Sequence, residues 1–317
     1  MLGKILIVGG AGFIGTALVE RLLREGLEIT VLDIDIPNVK LSNVRYIESD
    51  VIDYEGLDEL VAAVDVVFNF ASQLGIKYGI EKPLSQFNNN FFSTYTLLES
   101  CLKNDTRLIH ASSSAIYGQP VTEVLTEDSP LMFDNFNTGS WNYAFTKLSQ
   151  EMVIHAFAKE RKLKVQIIRY FNCIGGSQKP DLGHVVPSFI RAALSDKPLS
   201  IHGDGRQERT FIHISDAVEA TVLILQHYEQ GEVYNVGGIQ SISMKDLVRI
   251  IIEQTGSKSS MEFEDMDTVF CANHQEPIKR IPNIDKIRRL GYRAKYPFPK
   301  SIQKVTASFQ KTMKQGV

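Results

Sequence analysis

The sequence predicts an α/β protein with a doubly wound parallel sheet and a smaller C-terminal α/β lobe. Two observations predict this class. Short apolar segments alternate with longer amphipathic ones over the first half of the chain, and a glycine-rich turn follows the first apolar segment. Near-continuous apolar strands separated by helices indicate βαβ units, whose sheet is covered by helices on both faces.

The elements of the predicted sheet follow from these patterns. Runs rich in Val, Ile and Leu predict strands at Lys4–Val8, Glu28–Leu32, Val44–Ile47, Val66–Phe70, Arg107–Ala111 and Lys164–Arg169. Apolar residues at helical spacing predict helices at Ile14–Glu25, Tyr54–Ala63, Leu84–Lys103 and Tyr143–Lys162.

The pattern changes after about Asn172, where loops lengthen and Gly and Pro become more frequent. We therefore expect a nucleotide-binding domain at 1–171 and a mainly substrate-binding lobe at 172–317, with some of its elements returning to the main sheet. The further elements predicted there are helices Val186–Leu194, Ser215–His227 and Ser243–Thr255 and a strand at Glu232–Val236.

Composition excludes several classes of function. The net charge of −3 provides no general attraction to nucleic acid or to an anionic membrane. Cys101, Cys173 and Cys271 lack metal-ligand spacing, so we expect free thiols in a reducing compartment and no metal. The N-terminus shows no signal peptide and no apolar run approaches the roughly 18 residues of a membrane span. These features predict a cytoplasmic protein.

The glycine-rich turn predicts a dinucleotide site of the Rossmann type. Gly9, Gly12 and Gly15 form G-x-x-G-x-x-G between the first strand and the first helix, with Phe13 and Ile14 at the helix start. The first glycine permits a tight turn, the second lets a pyrophosphate approach the backbone, and the third allows close helix packing. A glycine-rich turn without a ligand is the alternative.

Two aspartates follow later strands of the same predicted sheet. Asp33 ends the second strand, where a carboxylate can bind both ribose hydroxyls of adenosine and repel a 2′-phosphate. This favours NAD over NADP as the cofactor, although Asp33 as a plain turn residue stays open. Asp50, followed by Val51, could meet the adenine amino group or act as a helix N-cap.

Tyr143 and Lys147 are four residues apart, on one face of a predicted helix. A nearby ammonium and the positive nicotinamide ring favour the phenolate and lower the tyrosine pKa, so Tyr143 could act as a general base. Tyr78–Lys82 and Tyr296–Lys300 share the spacing, but neighbouring prolines disfavour a position inside a helix for either pair. A surface helix is the alternative for Tyr143. The preceding ASSSAIYG segment could supply a hydroxyl to the reacting oxygen.

These residues resemble the extended short-chain dehydrogenases/reductases that act on nucleotide sugars. GGAGFIG, NFFSTYTLLE with its Asn90, ASSSAIYG, RYFNCIGG, GDGRQERTFIHISDA and DKIRRLGY occur in the family order and cover nearly the whole chain. The resemblance implies catalytic roles for Ser113, Tyr143 and Lys147. It also implies homodimerisation through the helices at Leu84–Lys103 and Tyr143–Lys162.

The resemblance extends to ligand contacts. It implies that NAD meets Lys147 and the residues Phe70, Ala71, Ser72 and Tyr170, in addition to the turn and aspartate residues above. It implies that Asn172 and Arg209 bind a nucleotide-diphosphate sugar, with a turn residue and a surface arginine as the alternatives. The family's C-terminal diphosphate-binding arginine is not evident, and His274, Lys279 or Arg280 could replace it.

The reaction is suggested by what the serine segment lacks. Members of the family first move a hydride from C4 of the sugar to NAD⁺, and dehydratases and decarboxylases carry carboxylates in this segment. Here Ser113, Ser114 and Ala115 provide none, which favours 4-epimerisation through a transient 4-keto sugar. Decarboxylation or 4,6-dehydration with carboxylates from elsewhere remains an alternative. A non-enzymatic NAD-binding scaffold or sensor is a further one, although the Tyr143/Lys147 pair argues against it.

Overall fold

The central sheet has seven strands, all parallel to their neighbours. The computed structural model describes residues 3–133, 141–178, 184–265 and 277–314. The sheet strands are β1 (Lys4–Val8), β2 (Glu28–Asp33), β3 (Val44–Glu48), β4 (Val66–Asn69), β5 (Arg107–Ser113), β6 (Val165–Tyr170) and β11 (Val233–Val236). Their spatial order is β11-β6-β5-β4-β1-β2-β3. The sequence-based fold class, a Rossmann-type α/β protein, is confirmed.

Helices cover both faces of this sheet because successive residues of its strands point to opposite faces and apolar residues occur on both. In β1, Ile5 and Ile7 join one buried core and Leu6 and Val8 the other. The helices of the sheet are α1 (Phe13–Leu23), α2 (Leu57–Ala62), α3 (Ile76–Glu81), α4 (Pro83–Lys103), α5 (Asn142–Arg161) and α7 (Ile214–Gln226). Buried residues of α1 and α7 fill the first core, whereas α2, α4 and α5 fill the second.

The remaining elements form a third core beside the carboxyl edge of the sheet, which is the side where the carboxyl ends of the strands lie. Its helices are α6 (Val185–Leu194), α8 (Met244–Thr255) and α10 (Phe298–Lys314), and α9 (Asp285–Arg289) packs near β11. Short strands pair here: β7 (Cys173–Ile174) with β10 (Ile212–His213), β8 (Leu199–His202) with β13 (Met261–Glu264), and β9 (Glu208–Thr210) with β12 (Ser241–Ser243) and β14 (Lys279–Arg280). The strand β11 and the helix α7 return to the main sheet.

One predicted helix is shorter than expected, and other helices were not predicted. The predicted helix from Tyr54 begins only at Leu57, because residues 54–56 form a turn in which the Leu57 amide donates to the Tyr54 carbonyl over 3.1 Å. The helices α3, α9 and α10 were missing from the sequence-based prediction.

The structure also bears on the expectations about cysteines and membrane spans. Cys101 and Cys173 are free thiols, and Cys271 lies outside the described residues. Within the described ranges, no helix is long and apolar enough to cross a membrane.

Candidate active site

A tight turn joins β1 to α1, with glycines where backbone segments come closest. Gly9 has a φ of +74°, and a Cβ there would lie 2.5 Å from the amide nitrogen of Ala71. A Cβ at Gly15 would lie 2.6 Å from the carbonyl oxygen of Gly9. Because a side chain at either position would collide with backbone, these glycines let α1 begin directly against the ends of β1 and β4.

Gly12 differs from these two glycines because it faces outward. It is the N-cap of α1, and a Cβ there would meet only the Gly9 carbonyl oxygen, at 3.3 Å. Phe13 and Ile14 form the first helical turn, which contains no acidic residue. The amide groups and the positive end of this helix therefore face a space that is kept open by glycine, and this fits a pyrophosphate.

Asp33 lies at the end of β2, directly beside the glycine turn. Its Oδ2 accepts a hydrogen bond from the Ala11 amide at 2.9 Å, and its Oδ1 accepts one from the Asp35 amide at 3.2 Å. Burial raises the pKa of this carboxyl, and the backbone donors oppose the rise. The side chain thus stands where a strand ends at the ligand edge, as predicted for the ribose contact.

Asp50 and Val51 follow β3 along the same edge. The Oδ1 of Asp50 accepts the amide hydrogen of Ile52 at 2.9 Å, and Val51 is buried. The N-cap of the next helix is Gly56, so the alternative of Asp50 as a helix N-cap is wrong. The adenine contact remains a prediction.

The segment after β4 lies against the glycine turn and also reaches Tyr170 at the end of β6. Phe70 stacks on Phe68 with ring centroids 5.9 Å apart and packs 6.2 Å from Tyr170. The Tyr170 hydroxyl lies 2.6 Å from Thr221 Oγ1 in α7, and burial raises the pKa of this phenol. The Tyr170 ring therefore packs against Phe70, and its hydroxyl is hydrogen-bonded to α7.

Tyr143 is the second residue of α5 and faces the segments after β4 and β5. Burial raises the pKa of its phenol to about 12, and hydrogen-bonding interactions with Ser113 and Ser72 oppose the rise. The Ser72 Oγ is buried and makes no other hydrogen bond within the described ranges. The structure thus brings together a phenol and two hydroxyls that sequence analysis placed in separate motifs.

Lys147 lies one helical turn further along α5. Its Nζ donates a hydrogen bond to the carbonyl oxygen of Ala111 in β5 at 2.9 Å. Burial lowers the pKa of this amine to about 7, whereas Glu151 raises it. The lysine is therefore poised between its charged and neutral forms near neutral pH.

The structure corrects one electrostatic expectation. Sequence analysis predicted that the ammonium of Lys147 lowers the pKa of Tyr143, but the pKa of this phenol is raised, and Lys147 is not among the groups that oppose the rise. The reason is burial, which disfavours the charged forms of both side chains. The same expectation also included the positive charge of the nicotinamide ring. The protein without its cofactor does not carry this charge.

Ser113 ends β5 and begins a 3-10 turn (Ser114–Tyr117). Its Oγ accepts the amide hydrogen of Ala115 at 3.1 Å, so the side chain caps this turn. Since a serine hydroxyl can donate one bond while accepting another, the cap leaves its proton available to Tyr143 or to a ligand oxygen.

Asn172 and Arg209 lie near the short strand β9. The Asn172 Nδ2 donates to the Thr210 carbonyl at 2.9 Å, next to Arg209 in β9. The Arg209 Nη1 donates to the carbonyl oxygens of Glu208, at 2.9 Å, and Pro277, at 2.8 Å. These contacts fix both side chains at the edge of β9, and their ligand roles remain predictions.

Two of the three candidates for a second diphosphate-binding cation lie on β14. Lys279 forms an ion pair with Glu208 at 3.2 Å, and Arg280 lies in register with Arg209 on the neighbouring strand β9. His274 lies outside the described residues. Which of these residues binds a diphosphate remains a prediction.

Sequence reasoning missed the hydrogen bonds that hold the Ser72 segment in place. Asn90 of α4 accepts the amide hydrogen of Gln73 at 2.6 Å and donates to its carbonyl at 3.1 Å. Gln150 of α5 donates to the Asn90 carbonyl at 2.6 Å. The resemblance identified Asn90, but no local pattern pointed to its partners.

Together, these groups define an active site of the nicotinamide-dependent type at the carboxyl edge of the sheet. The open Gly12 face, the Asp33 carboxylate and the buried Ser72 hydroxyl fit an NAD molecule lying along this edge. Among the described residues, no cluster of three or more His, Cys, Asp or Glu could hold a metal ion.

The chain belongs to the NAD dependent epimerase/dehydratase family, whose model matches residues 5–237. It is an enzyme of this family, and NAD is its cofactor. Among its relatives, the UDP-N-acetyl-alpha-D-glucosaminuronate decarboxylase of Bacillus cytotoxicus is 34% identical over 295 residues, which cover 90% of this chain and 91% of that protein.

Solved structures with the same fold include two epimerases. The UDP-glucose 4-epimerase of Thermus thermophilus, in complex with NAD, is 27% identical, with a TM-score of 0.85 over 97% of this chain and 99% of that one. The UDP-glucose 4-epimerase of Thermotoga maritima, solved with UDP-glucose, is 26% identical, with a TM-score of 0.86 over 98% and 99% of the two chains. The relatives therefore differ in the reaction that their names give.

Proposed function

We propose that this chain is a nucleotide-sugar 4-epimerase that acts through a transient 4-keto sugar. The observation that carries the proposal is the neutral lining of the candidate base. The polar side chains that act on the Tyr143 phenol are the hydroxyls of Ser113 and Ser72, and none of the described carboxylates does so. Elimination of water needs an additional acid and base, whereas epimerisation needs only one group that removes and returns the same proton.

The proposed roles follow from this lining. Tyr143, as the phenolate, accepts the proton of the sugar C4 hydroxyl, and the Ser113 hydroxyl donates to the same oxygen as it becomes a ketone. NAD⁺ bound along this edge would supply the acceptor and then the donor of the C4 hydride. Once the ketone presents its opposite face, Tyr143 gives the proton back to the same oxygen. Atoms and charges therefore balance over one cycle.

Lys147 is proposed to bind the cofactor. Its amine donates to Ala111 and retains further hydrogens for the nicotinamide ribose. Asn172 and Arg209 are proposed to hold the nucleotide diphosphate, with Arg280 beside Arg209 as the second cation.

Product analysis tests the reaction. Purified protein is incubated separately with UDP-glucose, UDP-N-acetylglucosamine and UDP-glucuronic acid, and the products are separated by chromatography. We expect interconversion of C4 epimers for at least one sugar. Tyr143→Phe should lower kcat by about 10²–10⁴-fold while NAD remains bound. Tyr296→Phe is the matched control, because Tyr296 has a lysine at the same spacing outside the site, and it should retain kcat. Undiminished turnover by Tyr143→Phe would contradict the proposal.

Decarboxylation is the second candidate, because the 34% identical relative is a decarboxylase. A 4-keto uronate is a β-keto acid, which loses its carboxylate as CO₂ without a dedicated carboxylate base in the protein. Release of CO₂ from UDP-glucuronic acid or its N-acetylamino analogue, with no C4 interconversion of neutral sugars, would replace the first proposal by this one. NAD retention without turnover of any sugar would favour a scaffold or sensor.

We also infer a homodimer formed through α4 and α5. Phe92 and Met152 lie on these helices and are 49% and 65% exposed, which is unusual for large apolar side chains on neighbouring helices. Light scattering of the purified protein should give twice the chain mass, and Met152→Lys with Phe92→Glu should reduce it to the monomer value.

A further inference from the structure

A buried arginine on β6 makes contacts that the proposed reaction does not yet use. Arg169 is 6% exposed, and its Nε and Nη2 donate to both carboxylate oxygens of Glu151 over 2.7–3.2 Å. Its Nη1 donates to the Tyr117 hydroxyl at 2.9 Å and to the Glu127 carbonyl at 2.7 Å. The guanidinium carbon also lies 5.1 Å from the centroid of the Tyr117 ring. One side chain therefore joins three segments of the chain.

Two of these segments carry the proposed catalytic groups. Glu151 lies on α5, one turn after Lys147, so its position is tied to that of Lys147. Tyr117 ends the 3-10 turn that Ser113 caps. Because Arg169 binds Glu151 and Tyr117 together, it fixes α5 relative to the Ser113 turn.

The third segment extends the same network towards the outer strand of the sheet. The Tyr117 hydroxyl donates to Asn235 Oδ1 in β11 at 2.7 Å. Asn235 in turn donates through its backbone N–H to Glu127 Oε1 at 2.8 Å and through its side-chain Nδ2 to the Leu125 carbonyl at 3.0 Å. The loop around Glu127 is thus held by Arg169 at its backbone and by Asn235 at the Glu127 side chain.

The charge of Glu151 also reaches the proposed catalytic lysine. Burial lowers the pKa of Lys147, and Glu151 is the group that raises it. From β5, His110 also faces the lysine, and burial holds the pKa of this imidazole well below its usual range, so it adds no positive charge near neutral pH. The Ala111 carbonyl accepts a hydrogen bond from the Lys147 amine. Arg169, on the neighbouring strand β6, keeps the Glu151 carboxylate in place.

A purely structural role does not require this charged pair. Replacing a buried ion pair by apolar residues of similar volume is often neutral or stabilising. An arginine that binds a carboxylate through two nitrogens fixes geometry more strictly than an apolar contact does. The network therefore costs desolvation energy that stability alone does not require. It lies where the positions of charged groups affect Tyr143 and Lys147.

We propose that Arg169 is a positioning residue of the reaction, which holds α5 against the Ser113 turn through Glu151 and Tyr117 and keeps the Glu151 carboxylate near Lys147. This inference rests on the proposed function, because it concerns the alignment of Tyr143 with Ser113. It assigns Arg169 no contact with substrate or cofactor.

Four variants separate the effects of charge, geometry and folding. Glu151→Gln removes the charge, and Arg169→Lys keeps the charge but loses the forked contact. The double variant Arg169→Met with Glu151→Leu replaces the pair by apolar side chains and should fold even where a single variant does not. Arg107→Met is the matched control, since Arg107 is a similarly buried arginine at the opposite edge of the sheet.

The expected results are specific to each variant. Glu151→Gln and the double variant should lower kcat by about 10–100-fold with KM changed by less than about threefold, because misplacement of α5 affects the reacting groups. The basic limb of the kcat–pH profile should move to lower pH, because loss of the Glu151 charge lowers the Lys147 pKa and the protonated amine offers more hydrogens to the ribose. Arg169→Lys should keep the wild-type pH profile but not the wild-type kcat. Arg107→Met should retain both.

The outcomes distinguish this inference from the proposed function. If the wild type turns over no nucleotide sugar, the proposed function fails. NMR titration of ¹³C-lysine-labelled protein, with Lys147 assigned by Lys147→Met, then decides whether Glu151→Gln lowers the Lys147 pKa as expected. If the wild type is active, wild-type kcat and pH profile in the double variant would overturn the positioning role. Should neither charge-removing variant fold, wild-type kcat in Arg169→Lys would do so.

Discussion

A buried arginine lies near each end of the central strands, but the two arginines have different partners. The end where the strands begin is called the amino edge, and the end where they finish is the carboxyl edge. At the amino edge, Arg107 donates to the carbonyl oxygens of Leu225, at 2.8 Å, and Ile224, at 2.9 Å, in the last turn of α7, and to the side chain of Gln166. At the carboxyl edge, Arg169 binds side chains that belong to the segments of the active site. The first arginine caps a helix, whereas the second joins functional segments.

The difference shows what each edge is built for. Burial lowers the pKa of Arg107 to about 10, and no carboxylate opposes the change. Arg169 lies against Glu151, and its pKa is raised. Near it, Lys147 has lost most of its preference for the charged form. We conclude that the amino edge serves stability, whereas the carboxyl edge holds charges whose balance a ligand can change.

Among the changes that compare the two edges, Lys147→Met has the largest expected effect. This change should lower kcat by about 10²–10³-fold, because the nicotinamide ribose loses a donor and the cofactor is held less well against the reacting carbon. Stability at pH 7 should not fall and should rise where the apolar side chain packs well, since the wild type buries a group that prefers water. Steady-state kinetics and urea unfolding of the same preparations check both effects.

The pH dependence of stability provides a sharper test of the same lysine. Its folded pKa of about 7 lies below the value of about 10.4 in an unfolded chain, so between these values the unfolded state binds more protons. Wild-type stability therefore gains from this group as pH rises, by up to about 1.4 kcal/mol per pH unit. Lys147→Met should lack that gain. Equal pH slopes for both proteins between pH 7 and 9 would show that Lys147 is charged when folded.

At the opposite edge, Arg107→Met should reduce stability and leave catalysis intact. The variant leaves two carbonyl oxygens at the end of α7 without their donor, and we expect a loss of about 2–4 kcal/mol in the free energy of unfolding. Urea unfolding measures this loss, and kcat and KM should equal those of the wild type. A folded variant with a lowered kcat would break the distinction between the two edges.

The parts of this architecture that sequence could predict are the locally encoded ones. The strand β1 was predicted at Lys4–Val8 and lies there, because an apolar run ended by glycine is a signal within one segment. The other sheet strands differ from the expected bounds only at their ends. The spacing of Tyr143 and Lys147 is also local, since one helical turn places both on one face.

Contacts between distant segments could not be predicted in this way. Arg169 meets Glu151, Glu127 and Tyr117 across 18, 42 and 52 positions of sequence, and no periodic pattern links them. The available signal was an arginine in an otherwise apolar buried strand, because such a charge requires a partner. The short strand pairs near Arg209 were missed for the same reason, since strands of two to four residues carry too little pattern.

The smallest expected effect concerns the far end of the carboxyl edge, where Asp33→Asn should weaken NAD binding by about tenfold. Asparagine retains an oxygen for the Ala11 amide but loses the charge and one acceptor for the ribose hydroxyls. Because burial raises the Asp33 pKa, the ionised carboxylate is disfavoured in the folded state at pH 7, and stability should not fall in the variant.

Calorimetric titration of nucleotide-free protein with NAD and NADP measures the effect of Asp33→Asn, and thermal unfolding provides the control for folding. The preference for NAD over NADP should decrease, since the carboxylate that repels a 2′-phosphate is gone. Unchanged affinity for both nucleotides would leave Asp33 as a cap of the glycine turn. The charge at the end of β2 would then serve stability only, like Arg107 at the amino edge. The charges with a functional role would be confined to the strands around β5 and β6.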